Sequence, residues 1–562
     1  MNFIPFSEKY PNEFLNREED NFDVLLSKIN AFYNRAKSGI QDGTVSRRVL
    51  ETRFNYEDEL KKSIDCENPI SSEEVADEFS DMFKGCIRHQ DPSAAFNIIP
   101  TPLFDTIAGI TIASLYNTNA CWDFISGKLC LYEKKLVKIL GHLVGWNNPN
   151  GLVVTGGKQA LAYAIKSGIN RANVDSTCIE DYVVICSSLA HYSIEHVCSF
   201  LGMIPENCLR VLSNPNGEIN LDSLKSIIQK AISQGKKIAA IIAVGGATIN
   251  LIPDPIKEIK QIIDDAVHAY SLEYVPYLHV DSVITWAWLS FIQDENYLKG
   301  LDLKYEVHKK IKNVCDKLKG INLADSFAAD FHKTGFCPYA AGVFISKDSY
   351  GLSSLISNGY ITPENPSFGE CEPYRVTFEN SRSALPIVSS WISIRKMGLK
   401  GLREYITYQL EVSCLFSKLI KLKYRHHFEI LNIQSNGWEL VLKLNFNQNF
   451  DWDRLQNSSK EDQKEYIEDC YGFANYLWYS PIDKQNFHNP VIGFVPRYSR
   501  KGSHEKSFPA FLIHPTSLHY DETTVNEMLQ KIVEMKLSYE ANQRLQKLAQ
   551  HASRFQEITP PR

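Results

Sequence analysis

Ile238-Ala239-Ala240-Ile241-Ile242-Ala243-Val244, the segment Pro255–Ser271 and Tyr277-Leu278-His279-Val280 follow one another as an apolar run, an amphipathic stretch and a second apolar run. Apolar runs this short, bounded by turn residues, read as strands buried on both faces. Between them Ile256, Ile259, Ile262, Ile263 and Val267 recur at helical spacing. Pro255 suits the first helical position, where its missing N–H removes no hydrogen bond. Strand, helix, strand is the parallel crossover unit, and the alternation continues in both directions. Upstream lie Leu152-Val153-Val154-Thr155, Tyr182-Val183-Val184-Ile185-Cys186 and Leu209-Arg210-Val211-Leu212. Leu221–Ser233 reads as a helix capped by Asn220 and ended before Gly235. Downstream lies Gly342-Val343-Phe344-Ile345. The expected fold class is α/β, a mostly parallel central sheet with helices on both faces.

The flanks read differently. Residues 1–95 form an N-terminal helical segment, with charge-rich helical patches over Asp23–Lys37 and Ser71–Lys84 and a helix start at Ser72. After the large α/β domain, placed at 96–398, the pattern is helical at Ala384–Lys396 and Leu402–Leu422. It becomes strand-like at Trp438–Leu444 and helical again at Thr523–His551, which makes a small α+β domain over 399–562.

The chain has 562 residues, with 60 Lys+Arg against 66 Asp+Glu, a formal net charge of −6. Such a balance provides no field for gripping nucleic acid, so no nucleic-acid partner is expected. A hydrophobic content of 44% with 22% charged residues is that of a globular protein. The 13 cysteines show no paired spacing, which points to reduced thiols in the cytoplasm and to no structural metal site. The N-terminus lacks a basic region followed by an apolar one. The longest apolar stretch, Ile238–Ile252, is interrupted by Gly245, Gly246 and Asn250. No signal peptide or membrane span is expected.

Four segments at strand ends carry the chemistry, because ligands of open α/β sheets bind at the carboxyl edge of the strands. Thr155-Gly156-Gly157-Lys158-Gln159-Ala160 opens a helix expected over Gln159–Ile169. Its glycines permit close backbone approach, its helix start offers N–H groups to an anion, and Lys158 adds charge. The spacing is not that of a Walker A loop, since Gly157 stands where that motif needs lysine. Ala190-His191-Tyr192-Ser193 offers an imidazole that is either a hydrogen-bonded structural residue or one that lies flat on an aromatic ring. His279-Val280-Asp281-Ser282 ends a buried strand with a carboxylate, which either caps the next helix or pairs with a basic ring nitrogen. Asp330-Phe331-His332-Lys333-Thr334-Gly335-Phe336-Cys337-Pro338-Tyr339-Ala340-Ala341-Gly342 sets Lys333 in apolar, glycine-rich surroundings that favour Schiff-base chemistry.

In this order the four segments resemble the pyridoxal-phosphate-dependent group II amino-acid decarboxylases, of the aspartate aminotransferase-like fold type I. The Asp330–Gly342 run, Tyr116-Asn117-Thr118-Asn119 and Thr377-Phe378-Glu379-Asn380-Ser381-Arg382 are most similar to the bacterial tyrosine/glutamate decarboxylase-like branch. The resemblance covers residues from about 90 to 410. It implies a seven-stranded central sheet in a large domain that binds pyridoxal 5′-phosphate, with Lys333 as its covalent anchor. His332 then helps to hold the phosphate, Asp281 pairs with the pyridinium nitrogen, and His191 stacks on the ring. Gly157 and Lys158 match the phosphate turn, Thr248 matches a residue near the ring, and Ser381 and Arg382 match a pair near the phosphate. The cationic ring is the electron sink for decarboxylation, through an external aldimine and a quinonoid. By the same resemblance Tyr374 is the proton donor to Cα, with Tyr360 its rival on the stretch Ser349–Tyr374.

Four departures from the family pattern stand out: Lys158, Val283, the 52-residue interval from Asp281 to Lys333, and Ser126-Gly127. Against that pattern Lys158 is expected to add a salt bridge to the phosphate, and Val283 to tighten packing at the ring. Phe96, Phe104, Trp122 and Phe124 favour an aromatic or apolar amino-acid side chain, or else form an interface core. The resemblance also implies a homodimer with its sites at the subunit interface. Alternatives on the same fold are a carbon–carbon lyase or aldolase, and a catalytically inactive scaffold.

Overall fold

A computed structural model of the chain describes residues 13–16, 19–38, 56–62, 67–83, 86–173, 178–292, 303–356, 369–446, 451–479, 490–500 and 505–556. Its strands, in chain order, are β1 (Ala94–Ala95), β2 (Asn150–Val154), β3 (Tyr182–Ser187), β4 (Cys208–Val211), β5 (Lys237–Val244), β6 (Tyr277–Asp281), β7 (Ser326–Asp330), β8 (Gly342–Ser346), β9 (Phe428–Ile430), β10 (Leu440–Leu444), β11 (Val491–Tyr498) and β12 (Phe508–Ile513). Among its helices are α1 (Phe22–Ser38), α2 (Ser72–Met82), α3 (Phe104–Tyr116), α4 (Leu129–Leu143), α5 (Gly157–Ala172), α6 (Ser193–Phe200), α7 (Leu221–Ser233), α8 (Ile256–Tyr270), α9 (Phe331–Thr334) and α10 (Leu385–Leu419). The last, α11, spans Glu522–Gln556.

The central sheet has seven strands in the order β2-β8-β7-β6-β5-β3-β4. The β8 strand is antiparallel to both neighbours, and all other pairs are parallel. This is the mostly parallel α/β architecture expected. Ile238 through Ala243 of β5 are wholly buried, as a strand covered by helices on both faces requires. One strand of this sheet escaped the sequence reading. The β7 strand, Ser326-Phe327-Ala328-Ala329-Asp330, carries two alanines of weak strand preference. Pairing with β6 and β8 decides its conformation.

Helix ends show why the local reading worked and where it slipped. Asn220 caps α7 as expected, its Oδ1 accepting from Ser223 N at 2.8 Å. Pro255 is the N-cap of α8, one position earlier than expected. The α2 helix starts at Ser72 as expected, with Ser71 as its N-cap in a capping box with Glu74 that satisfies two helix-end donors. The two helices expected at Ala384–Lys396 and Leu402–Leu422 meet within α10 across a kink at Gly398 (φ 59°, ψ −177°), a conformation that glycine adopts without steric cost.

A second sheet, in the order β1-β11-β12-β10-β9, backs a separate core. The β1 strand pairs in parallel with β11, so Ala94 and Ala95, at the end of the N-terminal segment, join the C-terminal sheet. Along α10 the packing passes from the first core at Leu402, Ile406 and Leu410 to the second at Val412, Phe416 and Leu419. No helix among the described residues is long and apolar enough to cross a membrane.

Candidate active site

Lys333 owes its position to its neighbours. The β7 strand runs directly into the single turn α9, where Phe331 is buried and stacks on Trp286 (ring centroids 4.3 Å apart). Thr334 is also buried, its hydroxyl donating to Ile284 O at 3.1 Å. His332 is pinned by Nδ1, 2.8 Å from Ala341 O and 3.1 Å from Ala341 N. Lys333 alone in this turn keeps an open side chain, with 28% of it exposed. Its Nζ lies 3.2 Å from Asp330 Oδ2, and His332 Nε2 approaches the same oxygen at 3.4 Å. Burial lowers the basicity of His332, with Asp330 pulling the other way.

Asp281 ends β6. Its Oδ1 is closed off from solvent and has no hydrogen-bond partner. Desolvation pushes its carboxyl above the usual range, opposed by the Lys333 cation and reinforced by the Asp330 charge. Asp330 Oδ1 is likewise buried and unpartnered. One ammonium thus pairs with Asp330 and acts electrostatically on Asp281, and each carboxyl group has an unused acceptor.

The turn after β2 closes the floor. A Cβ on Gly342 would stand 2.7 Å from both Asp330 Oδ1 and Gly156 Cα, and one on Gly157 would stand 2.8 Å from Val283 Cγ1. Glycine is therefore required at 342 and 157 for the turn to reach β8 and the β6 end. Val283 packs against the turn itself. Lys158 is exposed and donates from Nζ to His196 Nδ1 at 2.8 Å, tying α5 to α6.

His191 stands on the loop after β3, with Nδ1 2.8 Å from Ser193 Oγ and its ring 4.4 Å from that of Tyr192. Desolvation and then the Lys333 and Lys158 charges lower its basicity, which favours a neutral imidazole. The loop is held by Arg210, which donates to Ser187 O (2.8 Å), Ala190 O (2.6 Å) and His191 O (3.3 Å) and pairs with Glu195 (2.5 Å).

The structure thus gathers Lys333, His332, Asp281, His191 and Gly157. Thr248 is exposed beyond Gly245-Gly246, and Ser381 is exposed beside Arg382. Arg382 is buried and forks onto Glu133 (2.5 and 3.1 Å), Ala120 O (3.1 Å) and Val153 O (2.9 Å). Tyr374 lies in the short turn Pro373–Arg375, its N–H donating to Cys121 O at 3.2 Å. Tyr360 lies outside the described residues. Asp330, Arg210 and Glu133 were missed by the sequence reading. Only Asp330 carried a local signal, standing one helical turn before Lys333.

Residues 57–442 match the family model for the pyridoxal-dependent decarboxylase conserved domain. The chain belongs to the pyridoxal-dependent decarboxylase family. Among its relatives is an L-2,4-diaminobutyrate decarboxylase of Acinetobacter baumannii, 24% identical over 279 residues, 46% of this chain and 49% of the relative. A probable L-tyrosine/L-aspartate decarboxylase of Methanococcus maripaludis is 22% identical over 280 residues, 50% of this chain and 63% of the relative. The matches thus span about half to two thirds of these relatives' length. In fold, the chain is similar to the crystal structure of Oryza sativa TDC with PLP and tryptamine (TM-score 0.72, 16% identity, 93% of this chain and 99% of that one).

The family's cofactor is pyridoxal 5′-phosphate, and the residues of this decarboxylase domain fit it. The buried, unpartnered Oδ1 of Asp281 suits a cationic ring N–H. Lys333 supplies a primary amine beside it, and the glycine turn at the start of α5 leaves helix-end N–H groups for a phosphate.

Proposed function

We propose that the chain decarboxylates an L-amino acid with an aromatic side chain, releasing the amine and carbon dioxide with pyridoxal 5′-phosphate as cofactor. The observation that carries this reading is Lys333, 3.2 Å from Asp330, exerting its charge on Asp281, whose buried acceptor is free for a ring cation. When bound, the cofactor supplies an electron sink for the pair left behind as the Cα–carboxylate bond breaks. Lys333 provides the amine for its attachment. Asp281 holds positive charge at the ring nitrogen, and a neutral His191 packs over the site. The Gly156-Gly157 turn, with His332 and Lys158, takes the phosphate. These groups keep the substrate's carboxylate bond aligned for cleavage, which is catalysis by orientation. An aromatic substrate is supported by Tyr192 and Tyr339, both largely exposed, whose rings stand 4.4 Å from that of His191 and 4.5 Å from that of His332.

Carbon dioxide release from a panel of the common L-amino acids tests the reading. Tyrosine, phenylalanine or tryptophan should give the highest kcat/KM. Preferred turnover of an acidic or a diamino acid would replace the aromatic assignment, and cleavage without carbon dioxide would favour the lyase class.

Tyr374 is the proposed proton donor to Cα. A phenol keeps its proton at neutral pH, and desolvation with the Glu372 charge raises that of Tyr374 further. Tyr374→Phe should slow protonation by about 10²-fold and raise the share of oxidative or transamination products, as measured by product analysis. The same behaviour in Tyr360→Phe, with Tyr374→Phe active, would move the role to Tyr360.

The proposed assembly is a homodimer with its sites at the interface. Its support is α3, an apolar helix packed on α10, in which Thr106 alone is buried. Phe104 is 92% exposed, and Phe124, close by in sequence, is 77% exposed. Apolar surface this extensive normally meets a partner. Sedimentation velocity should give twice the chain mass, and Ile112→Glu should yield monomers of low activity.

A further inference from the structure

We propose that Gln159 is a positioning residue for the phosphate-binding turn, acting with Glu379 as a hydrogen-bonded clamp; the inference rests on the cofactor reading above. Thr155 is the residue through which the chain leaves β2 and enters the turn. Its N–H and its hydroxyl both donate to Gln159 Oε1, at 2.8 and 3.0 Å. The other end of the same amide faces acceptors: Gln159 Nε2 lies 3.0 Å from Tyr163 OH, 3.2 Å from Glu379 Oε1 and 3.3 Å from Glu379 Oε2. Only a primary amide presents an acceptor to one side and two donors to the other, so this arrangement fixes the orientation of the side chain. Gln159 is buried, and Tyr163 stacks on Phe378, the residue before Glu379, with ring centroids 5.3 Å apart.

The clamp links two pieces of chain distant in sequence. One is the turn whose Gly156 lies over His332, where a Cβ would stand 3.2 Å from Cε1. The other is the segment that runs on from Tyr374 to Arg382. Releasing Gln159 lets Thr155 shift, and with it the backbone groups offered to a phosphate. The aldehyde end of the cofactor, at Lys333, and its ring nitrogen, at Asp281, are not touched by this pair. The clamp therefore favours pyridoxal 5′-phosphate over pyridoxal, and that discrimination is the readout.

The test is a charge-conserving swap in the full chain, with equilibrium binding of both aldehydes followed by absorbance and the fold by thermal melting. Gln159→Glu sets two carboxylates face to face and should weaken pyridoxal 5′-phosphate about tenfold while leaving pyridoxal within about twofold. Gln159→Glu combined with Glu379→Gln restores a donor facing an acceptor at the same net charge as the natural chain. It should recover phosphate-ester binding to within about threefold of that chain. If added charge near the phosphate were the whole cause, the swap would bind as poorly as Gln159→Glu, and the clamp would be overturned. Equal weakening of both aldehydes, or no weakening in Gln159→Glu, overturns it too. Should Gln159→Glu fail to fold, Gln159→Met, uncharged and similar in size, must show the same selective loss. A natural chain that binds neither aldehyde would instead defeat the cofactor reading itself.

Discussion

Lys333→Ala is expected to remove decarboxylation, by on the order of 10⁴-fold or more, and with it all covalent attachment of pyridoxal 5′-phosphate. No neighbour can take over. In α9 the flanking side chains, His332 and Thr334, are buried and hydrogen-bonded elsewhere, and neither carries an amine. Borohydride treatment followed by mass spectrometry should find the cofactor fixed to residue 333 in the natural chain and nowhere in the variant. Non-covalent binding should persist, because Asp281, His191 and the glycine turn remain. Turnover or a fixed adduct in Lys333→Ala would defeat the proposed mechanism. The substitution also leaves Asp330, nearly buried, without its cation at 3.2 Å, so a lower melting temperature should accompany the loss.

Asp281→Asn should lower kcat by about 10²–10³-fold, the scale of losing one partner of a buried charge pair. The variant separates function from stability. In the free chain, burial penalises the Asp281 carboxylate and its Oδ1 has no partner, so a neutral amide should leave the melting temperature unchanged or raise it. A loss of activity without a loss of stability is what a counter-charge for the ring requires. If Asp281→Asn retains full kcat, the ring nitrogen has no need of that charge and the assignment fails.

Much of the fold was legible because β2, β3, β5, β6 and β8 are apolar runs bounded by turns, and because α7 carries its own cap in Asn220. The β7 strand was not, since Ala328 and Ala329 take their conformation from the strands on either side. The site divides in the same way. Asp281, His332 and Lys333 lie in short motifs whose strand ends the sequence displays. The Arg382–Glu133 pair joins residues 249 positions apart, and nothing local in either names the other. Arg382, matched by resemblance to the phosphate region, has its guanidinium taken up by Glu133 and two carbonyls, those of Ala120 and of Val153 in β2. Asp330 was visible as a letter of its motif, but its role as the lysine's neighbour needed the backbone turn of α9.

The part of α10 beyond Gly398, which runs through both cores, has a bearing on how the molecule can be divided. Leu402, Ile406 and Leu410 belong to one interior and Val412, Phe416 and Leu419 to the other, so a single girder braces two buildings. A truncated chain ending soon after the catalytic sheet would strip this girder of half its cladding. Engineering that seeks a smaller catalyst should therefore trim loops and keep both lobes.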